Sequence, residues 1–228
     1  MVYVISDLHG YPLERFERLL ASASFGEEDV CYVLGDVIDR GADGAALLRY
    51  ILAHPRMHLI RGNHEAMMLQ CRFALEDDLK EYTESQLMAL RRWLSNGGNP
   101  TLDGLSCLSY RQATALLDQV EQTPLYKFIE VKGQRYLLTH SGLGNFHIDK
   151  PIEQYTEREL LWHRPCWEES YFPDTVVVFG HTPTLFLNVE ACGRVLRTKT
   201  WIDIDTGAAL ANEPTLLCLD TMEEFRLT

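Results

Sequence analysis

Two carboxylates and a guanidinium crowd the segment Gly35-Asp36-Val37-Ile38-Asp39-Arg40-Gly41. It follows the apolar run Val30-Cys31-Tyr32-Val33-Leu34, which reads as a buried strand. The charged side chains therefore fall where a strand gives way to a loop, the edge at which open α/β sheets hold ligands. Asp36 and Asp39 cannot both stay bare in a partly buried loop, because like charges in low dielectric repel strongly. A metal would relieve one and a protonated histidine the other. The plainer alternative is a solvated loop with an Asp-Arg pair and a turn glycine, and on this segment alone the two readings are level.

Other strand candidates end the same way. Val2-Tyr3-Val4-Ile5 runs into Ser6-Asp7-Leu8-His9-Gly10, where alternation along an extended chain would turn Asp7 and His9 to one side, within reach of one ion. Met57-His58-Leu59-Ile60 runs into Arg61-Gly62-Asn63-His64-Glu65. Between these strands lie helical spacings: Leu13, Phe16, Leu19 and Leu20 behind Pro12, then Asp43 to His54, stopping before Pro55. Further on, the hairpin Tyr126–Val131 and Arg135–Thr139 ends at His140, and the apolar strand Val176–Phe179 ends at Gly180-His181. Asp7, His9, Asp36, Asn63, His140 and His181 form an oxygen and nitrogen donor set without thiolate, suited to Mn²⁺, Fe or Zn²⁺. Asp36, central in this order, is the natural bridge between two ions. Two such ions about 3.5 to 4 Å apart clamp an in-line phosphoryl displacement and lower the pKa of a bridging water. Arg40 and Arg61 can fork onto phosphate oxygens, His64 can protonate a leaving oxygen, and Asp39 can orient His64 and favour its charged form.

The elements that position these residues fit an α/β chain. At 228 residues the expectation is a single domain over 1–228 with an ample core. Residues 76–123 read as a helical insertion or cap without its own core: a charge cluster at Glu76-Asp77-Asp78, then helical patterns from Ser85 to Leu94 and from Gln112 to Gln122 around an Asn96-Gly97-Gly98-Asn99-Pro100 turn. The long loop 142–156, with His147 and Asp149, should be solvent-exposed, and a short helix from Glu157 to Trp162 should lead to His163-Arg164. The last third reads as antiparallel strands, Leu185–Val189, Trp201–Asp205 and Thr215–Asp220, with the chain ending after a strand. Asp203 and Asp205 alternate along the second of these, where they could support the ligands or simply form a turn before Gly207.

Composition narrows the classes. A net charge of −12 with only 21 Lys and Arg spread along the chain excludes a general nucleic-acid binder. No apolar run reaches the roughly 20 residues that span a bilayer, and no signal-peptide pattern precedes Val2, so a cytoplasmic protein without membrane partners is expected. The six cysteines are scattered without a C-x-x-C pair, against a zinc ribbon or a disulfide framework.

Asp7-x-His9-Gly10, Gly35-Asp36-x-x-Asp39-Arg40-Gly41, Arg61-Gly62-Asn63-His64-Glu65, His140 and Gly180-His181 together resemble the signature set of the phosphoprotein phosphatase family of metallophosphoesterases. Trp93-Leu94-x-Asn96-Gly97-Gly98 and Trp162-x-Arg164 are similar to its bacterial and bacteriophage branch, typified by lambda phosphatase. The resemblance implies a calcineurin-like β-sandwich flanked by helices. It places Asp7, His9 and Asp36 on one metal ion and Asp36, Asn63, His140 and His181 on the other, usually Mn²⁺, with Fe or Zn as alternatives. It further implies phosphate contacts from Arg40, Arg61 and Arg164, and His64 with Asp39 as the acid pair. The implied activity is serine/threonine protein phosphatase, extending to phosphotyrosine as an option, on phosphorylated proteins or peptides. Ser6 and Ser141 depart from the family pattern without removing a ligand. A symmetrical dinucleoside tetraphosphate hydrolase is the alternative, disfavoured because the resemblance implies no acid at position 39 and an Asp at position 65 in those enzymes. A non-catalytic phosphoprotein-binding module on the same fold would be expected to lack a ligand or the acid, and none is missing.

Overall fold

A computed structural model describes residues 1–75 and 81–227; the charge cluster Glu76-Asp77-Asp78 lies outside them. Two five-stranded sheets face one another. The first contains β1 (Val2–Ile5), β2 (Val30–Val33), β3 (Met57–Leu59), β9 (Leu216–Cys218) and β10 (Glu224–Phe225), in the order β10-β9-β1-β2-β3. The second contains β4 (Tyr126–Val131), β5 (Gln134–Thr139), β6 (Thr175–Phe179), β7 (Leu196–Arg197) and β8 (Trp201–Asp203), in the order β4-β5-β6-β8-β7.

Strand alternation builds the layers. Val4, Leu138, Val178, Ile202 and Leu217 point inward to one cluster shared by both sheets. Their neighbours Tyr3, Ile5, Leu216 and Cys218 point outward from the first sheet, against Phe16 and Leu19 of α1 (Leu13–Ser22) and Leu47, Leu48 and Ile51 of α2 (Gly44–Ala53). Leu137, Val177, Phe179 and Trp201 point outward from the second sheet, under Leu143, Tyr155 and Leu160, the last on α7 (Glu157–Leu161). The central strands β1, β6, β8 and β9 are covered on both faces, and this is why those runs are apolar almost throughout, whereas the edge strand β4 keeps exposed Lys127 and Glu130.

Each sheet carries three adjacent parallel strands: β1, β2 and β3 in the first, β5, β6 and β8 in the second. Their carboxyl ends carry the motif residues. This corrects the antiparallel reading of the last third: β8 runs parallel to β6, while β7, β9 and β10 run antiparallel to β8, β1 and β9 respectively. It also corrects Leu185–Val189: α8 (Thr184–Leu187) and a 3₁₀ turn at Val189–Ala191 occupy that stretch. A short apolar run fits helix or strand equally well by pattern. Here Pro183 opens the helix and the Thr184 N–H is taken by the Asp205 carbonyl at 2.9 Å, which fixes the turn against the end of β8.

Three helices follow α3 (Asn63–Gln70): α4 (Glu84–Ser95), α5 (Asn99–Ser106) and α6 (Tyr110–Glu121). The middle one was not legible as a helix because Asn-Gly-Gly-Asn-Pro reads as turn alone, yet Pro100 sits in its first turn, where a missing N–H costs nothing. Trp93, Leu105, Leu117 and Val120 from these helices join the cluster on the outer face of the first sheet. They have no separate core among the described residues.

Candidate metal centre

The strand ends of both sheets meet over a cavity of about 200 Å³ whose lining includes His9, Asp36, Asn63, His64 and His181. Asp7 and His140 complete the donor set from deeper positions, and all of these side chains are buried. Two groups bring ligand atoms within 4.8 Å of one another: His9, Asp36 and His64, and Asp36, His140 and His181. Asp36 belongs to both.

The backbone there is unusual. Asp7, His9, Asp36, Asp39, Arg40 and His181 all have φ between 45° and 71°, the left-handed region that non-glycine residues avoid. Asp7 and His9 thus reach the centre by a tight turn after β1, and not by alternation along an extended chain as their spacing suggested. The turns are held by backbone bonds from His9 to the Asp36 carbonyl, 2.9 Å, and from Gly10 to the Val37 carbonyl, 2.8 Å. Glu65 fixes the second loop: its carboxylate accepts from the N–H groups of Asp36 (2.8 Å), Val37 (2.9 Å) and Gly62 (2.9 Å). Burial raises the Glu65 pKa to about 6, with the Asp36 charge adding to the effect. Two glycines allow the strand ends to close in. A Cβ on Gly180 would fall onto the Asp7 carboxylate and the Ser6 hydroxyl, and one on Gly35, at φ 81°, would stand 2.5 Å from Gly62 Cα.

Hydrogen bonds set the histidine tautomers, and those tautomers suit a cation. His140 gives its Nδ1–H to the Leu34 carbonyl at 2.7 Å, so a neutral ring turns its Nε2 lone pair toward Asn63 Oδ1 (2.8 Å) and Asp36 Oδ1 (3.4 Å). His9 likewise commits Nδ1 to the Ile38 carbonyl at 3.2 Å and points Nε2 at Asp36 Oδ2 (3.8 Å) and Asp7 Oδ1 (4.0 Å). The buried His181 Nε2 has no hydrogen-bond partner. Burial holds His9 near a pKa of about 3 and His181 well below the usual imidazole range, so both rings are neutral. Burial also pushes Asp7 up to about 6, whereas the surrounding histidines outweigh burial at Asp36 and hold it low. Converging lone pairs without protons between them are what a divalent cation stabilises. The donor set therefore fits the two ions that the sequence implied.

His64 stands apart from the other rings. Its Nδ1 lies 2.6 Å from Asp39 Oδ2, and its Nε2 lies 3.3 Å from Arg40 Nη2 and 3.8 Å from Asp36 Oδ2. Burial alone would lower the His64 pKa, but the Asp36 charge and the Asp39 hydrogen bond outweigh it and raise it. Asp39 is gripped by groups the sequence reading did not connect to it. The Trp93 indole N–H donates to both carboxylate oxygens (3.1 and 3.0 Å), and Thr101 donates to Oδ1 at 2.7 Å while accepting the Asp39 N–H at 2.8 Å. The Trp93-x-x-Asn96-Gly97 segment was the available signal, since the Gly97 carbonyl also accepts from Arg40 and Asn96 lines the cavity.

Arg40 and Arg164 line the cavity, the latter donating to the His181 carbonyl at 3.2 Å. Arg61 is not among the lining side chains; its Nε is buried without a hydrogen-bond partner. Asp205 does line the cavity, one carboxylate oxygen accepting from Gly207 N–H at 3.0 Å, and the Asp7 charge adds to burial in raising its pKa well above the usual range. The buried Ser6 Oγ has no partner and Ser141 Oγ donates to the Gly142 carbonyl; neither departure displaces a donor. His147 and Asp149 are exposed, and His163 pairs with Glu169 at 2.8 Å away from the donor set.

This centre can be set beside known proteins. Residues 1–205 match the family described as calcineurin-like phosphoesterase. The chain belongs to that family, and is a hydrolase of the metallophosphoesterase class that works through divalent metal ions. Serine/threonine-protein phosphatase 1 of Salmonella typhimurium is 26% identical over 228 residues, covering 94% of this chain and 90% of its own. A symmetrical bis(5'-nucleosyl)-tetraphosphatase of Buchnera aphidicola is 32% identical, over only 35% of this chain and 29% of its own. Among solved structures, a candidate diadenosine tetraphosphatase superposes with a TM-score of 0.66 at 17% identity, covering 99% of this chain and 92% of that one, a likeness of fold. No helix among the described residues is long and apolar enough to cross a membrane.

Proposed function

We propose that this chain is a Mn²⁺-dependent phosphomonoesterase that removes phosphate from phosphoserine and phosphothreonine in proteins or peptides. The observation that carries the reading is the His64–Asp39 pair, gripped by Trp93 and Thr101 beside the donor set. Its near full-length similarity to a serine/threonine-protein phosphatase supports the same reading. Bound on Asp7, His9, Asp36, Asn63, His140 and His181, divalent ions would supply Lewis-acid polarisation of the phosphoryl group and an activated water.

The protein's own groups do the rest. Arg40 and Arg164 seat the non-bridging phosphate oxygens, with Arg61 as the third cation the sequence resemblance implies. Arg40 can only donate, so its contact with His64 Nε2 leaves the ring proton on Nδ1 facing Asp39. Drawing the guanidinium onto a phosphate frees Nε2 to carry a proton. Asp39 then stabilises the imidazolium, and His64 gives the Nε2 proton to the ester oxygen as it leaves.

The alternative, a symmetrical dinucleoside tetraphosphate hydrolase, is favoured by the local 32% identity to such an enzyme. The deciding experiment compares a phosphoserine peptide with diadenosine tetraphosphate, using metal-stripped protein with and without Mn²⁺. Mn²⁺-dependent phosphate release from the peptide, with little attack on the dinucleotide, is the expected result. The reverse preference would move the chain to the nucleotide hydrolases, and silence on both despite bound metal would make it a phosphoprotein-binding module.

A further inference from the structure

One wall of the catalytic cavity is apolar and faces outward. Phe186, on α8, is 66% exposed, and Leu210, in the 3₁₀ turn Ala208–Leu210, is 45% exposed; both line the cavity that holds His9, Asp36 and His181. Single exposed apolar side chains are ordinary, but two from separate elements converging on a metal centre call for an account. Phe186 belongs to none of the three core clusters, whereas its neighbour Leu187 packs under the second sheet. The wall is fixed in place. Thr184 N–H bonds to the Asp205 carbonyl at 2.9 Å and Thr184 Oγ1 to the Ala191 carbonyl at 3.0 Å. Gly207, at φ 89°, turns the chain after β8 into the 3₁₀ turn that carries Leu210 to the same cavity.

We infer that Phe186 and Leu210 read the leaving group of the phosphate ester, and that they favour one with an aromatic ring directly on the ester oxygen, as in phosphotyrosine. The inference rests on the phosphomonoesterase reading above. With the phosphoryl group on the polar floor between the donor set and Arg40, the first atoms of the leaving group pass the apolar wall. Phosphoserine offers a single methylene there before the peptide backbone begins. An aryl ester offers a flat ring, which gains from edge-to-face or offset contact with Phe186 and apolar contact with Leu210. In a dinucleoside tetraphosphate the base is separated from the scissile phosphorus by further phosphate and ribose, so its ring does not lie at this depth. The contact exists in ground state and transition state alike, and acts through KM more than kcat.

Two arms test this. Calorimetric titration of the Mn²⁺-loaded protein with phenylphosphonate and methylphosphonate isolates the ring without any turnover. The phenyl compound should bind about 3- to 10-fold more tightly, and Phe186→Ala and Leu210→Ala should each remove part of that advantage. In the second arm, the phosphotyrosine-to-phosphoserine ratio of kcat/KM on matched peptides should fall by a similar factor in both variants, through KM. Equal binding of the two phosphonates, or a phenyl advantage untouched by both substitutions, overturns the inference. Failure of the phosphomonoesterase reading looks different: no phosphate is released from either peptide while the phenyl preference in binding persists. Both side chains are exposed, so neither substitution removes core packing.

Discussion

The strand ends of the two sheets contribute to one centre in different ways. The first sheet supplies Asp7, His9, Asp36, Asp39, Arg40, Asn63 and His64 from three successive strand-to-helix turns. The second supplies single donors, His140 after β5 and His181 after β6, with Asp205 after β8. Five of the six left-handed site residues belong to the first sheet, so strain is concentrated where the candidate donors and His64 are packed into short turns. The second sheet needs only to bring its histidines up against Asp7 and Asp36. The first half therefore carries the chemistry and the second closes it, and the close approach of Gly180 to Asp7 is where the closure is made.

Substitutions grade this division. Asp36 faces both halves, so Asp36→Asn should reduce metal content at both positions by elemental analysis and lower turnover on the order of 10²- to 10³-fold. Normal occupancy of both positions would dissolve the picture of one shared ligand. His64→Asn should cost about 10²- to 10⁴-fold in kcat with metal content retained. Because the structure also groups His64 with His9 and Asp36, loss of metal in that variant would make His64 a ligand instead of the acid.

Asp39→Asn sharpens the first half further. A general acid must hold its proton, so activity is lost as pH rises through the His64 pKa, which Asp36 and Asp39 raise. Removing the Asp39 charge lowers that pKa, and the basic limb of the pH–rate profile should move to lower pH, with kcat down about 10- to 100-fold. An unmoved limb would mean that another group titrates. Gly180→Ala probes the seam where the second half closes on the first, and acts on metal binding with the acid pair left in place. Its Cβ would displace the Asp7 carboxylate and weaken metal binding about 10- to 100-fold in a chelator competition, with the rest of the donor set in place. Unchanged affinity would show that the halves are docked more loosely than their contacts suggest.

Legibility in the sequence follows the same line. In the first half each donor sits in a short motif directly behind an apolar strand and ahead of a helix, so types and spacing are enough to propose a centre. His140 and His181 stood out only because they too followed apolar runs. Trp93 and Thr101 hold Asp39 across 54 and 62 residues of chain; the Trp93-x-x-Asn96-Gly97 segment marked Trp93 as part of the site, but nothing local ties it or Thr101 to Asp39. Phe186 and Leu210 look like any apolar residues in sequence, and the stretch that includes Phe186 was read as strand.

By itself the sequence determined the α/β class and the likeness to metallophosphoesterases, and it singled out the candidate donors and set His64 beside Asp39, because these depend on residue chemistry and on periodicity over a few positions. Tertiary structure alone decided that β8 runs parallel to β6, that six site residues take left-handed backbone, and that two outward apolar side chains border the donor set. Those features depend on which distant segments pack together, and packing fixes them through hydrogen bonds and excluded volume that span the chain.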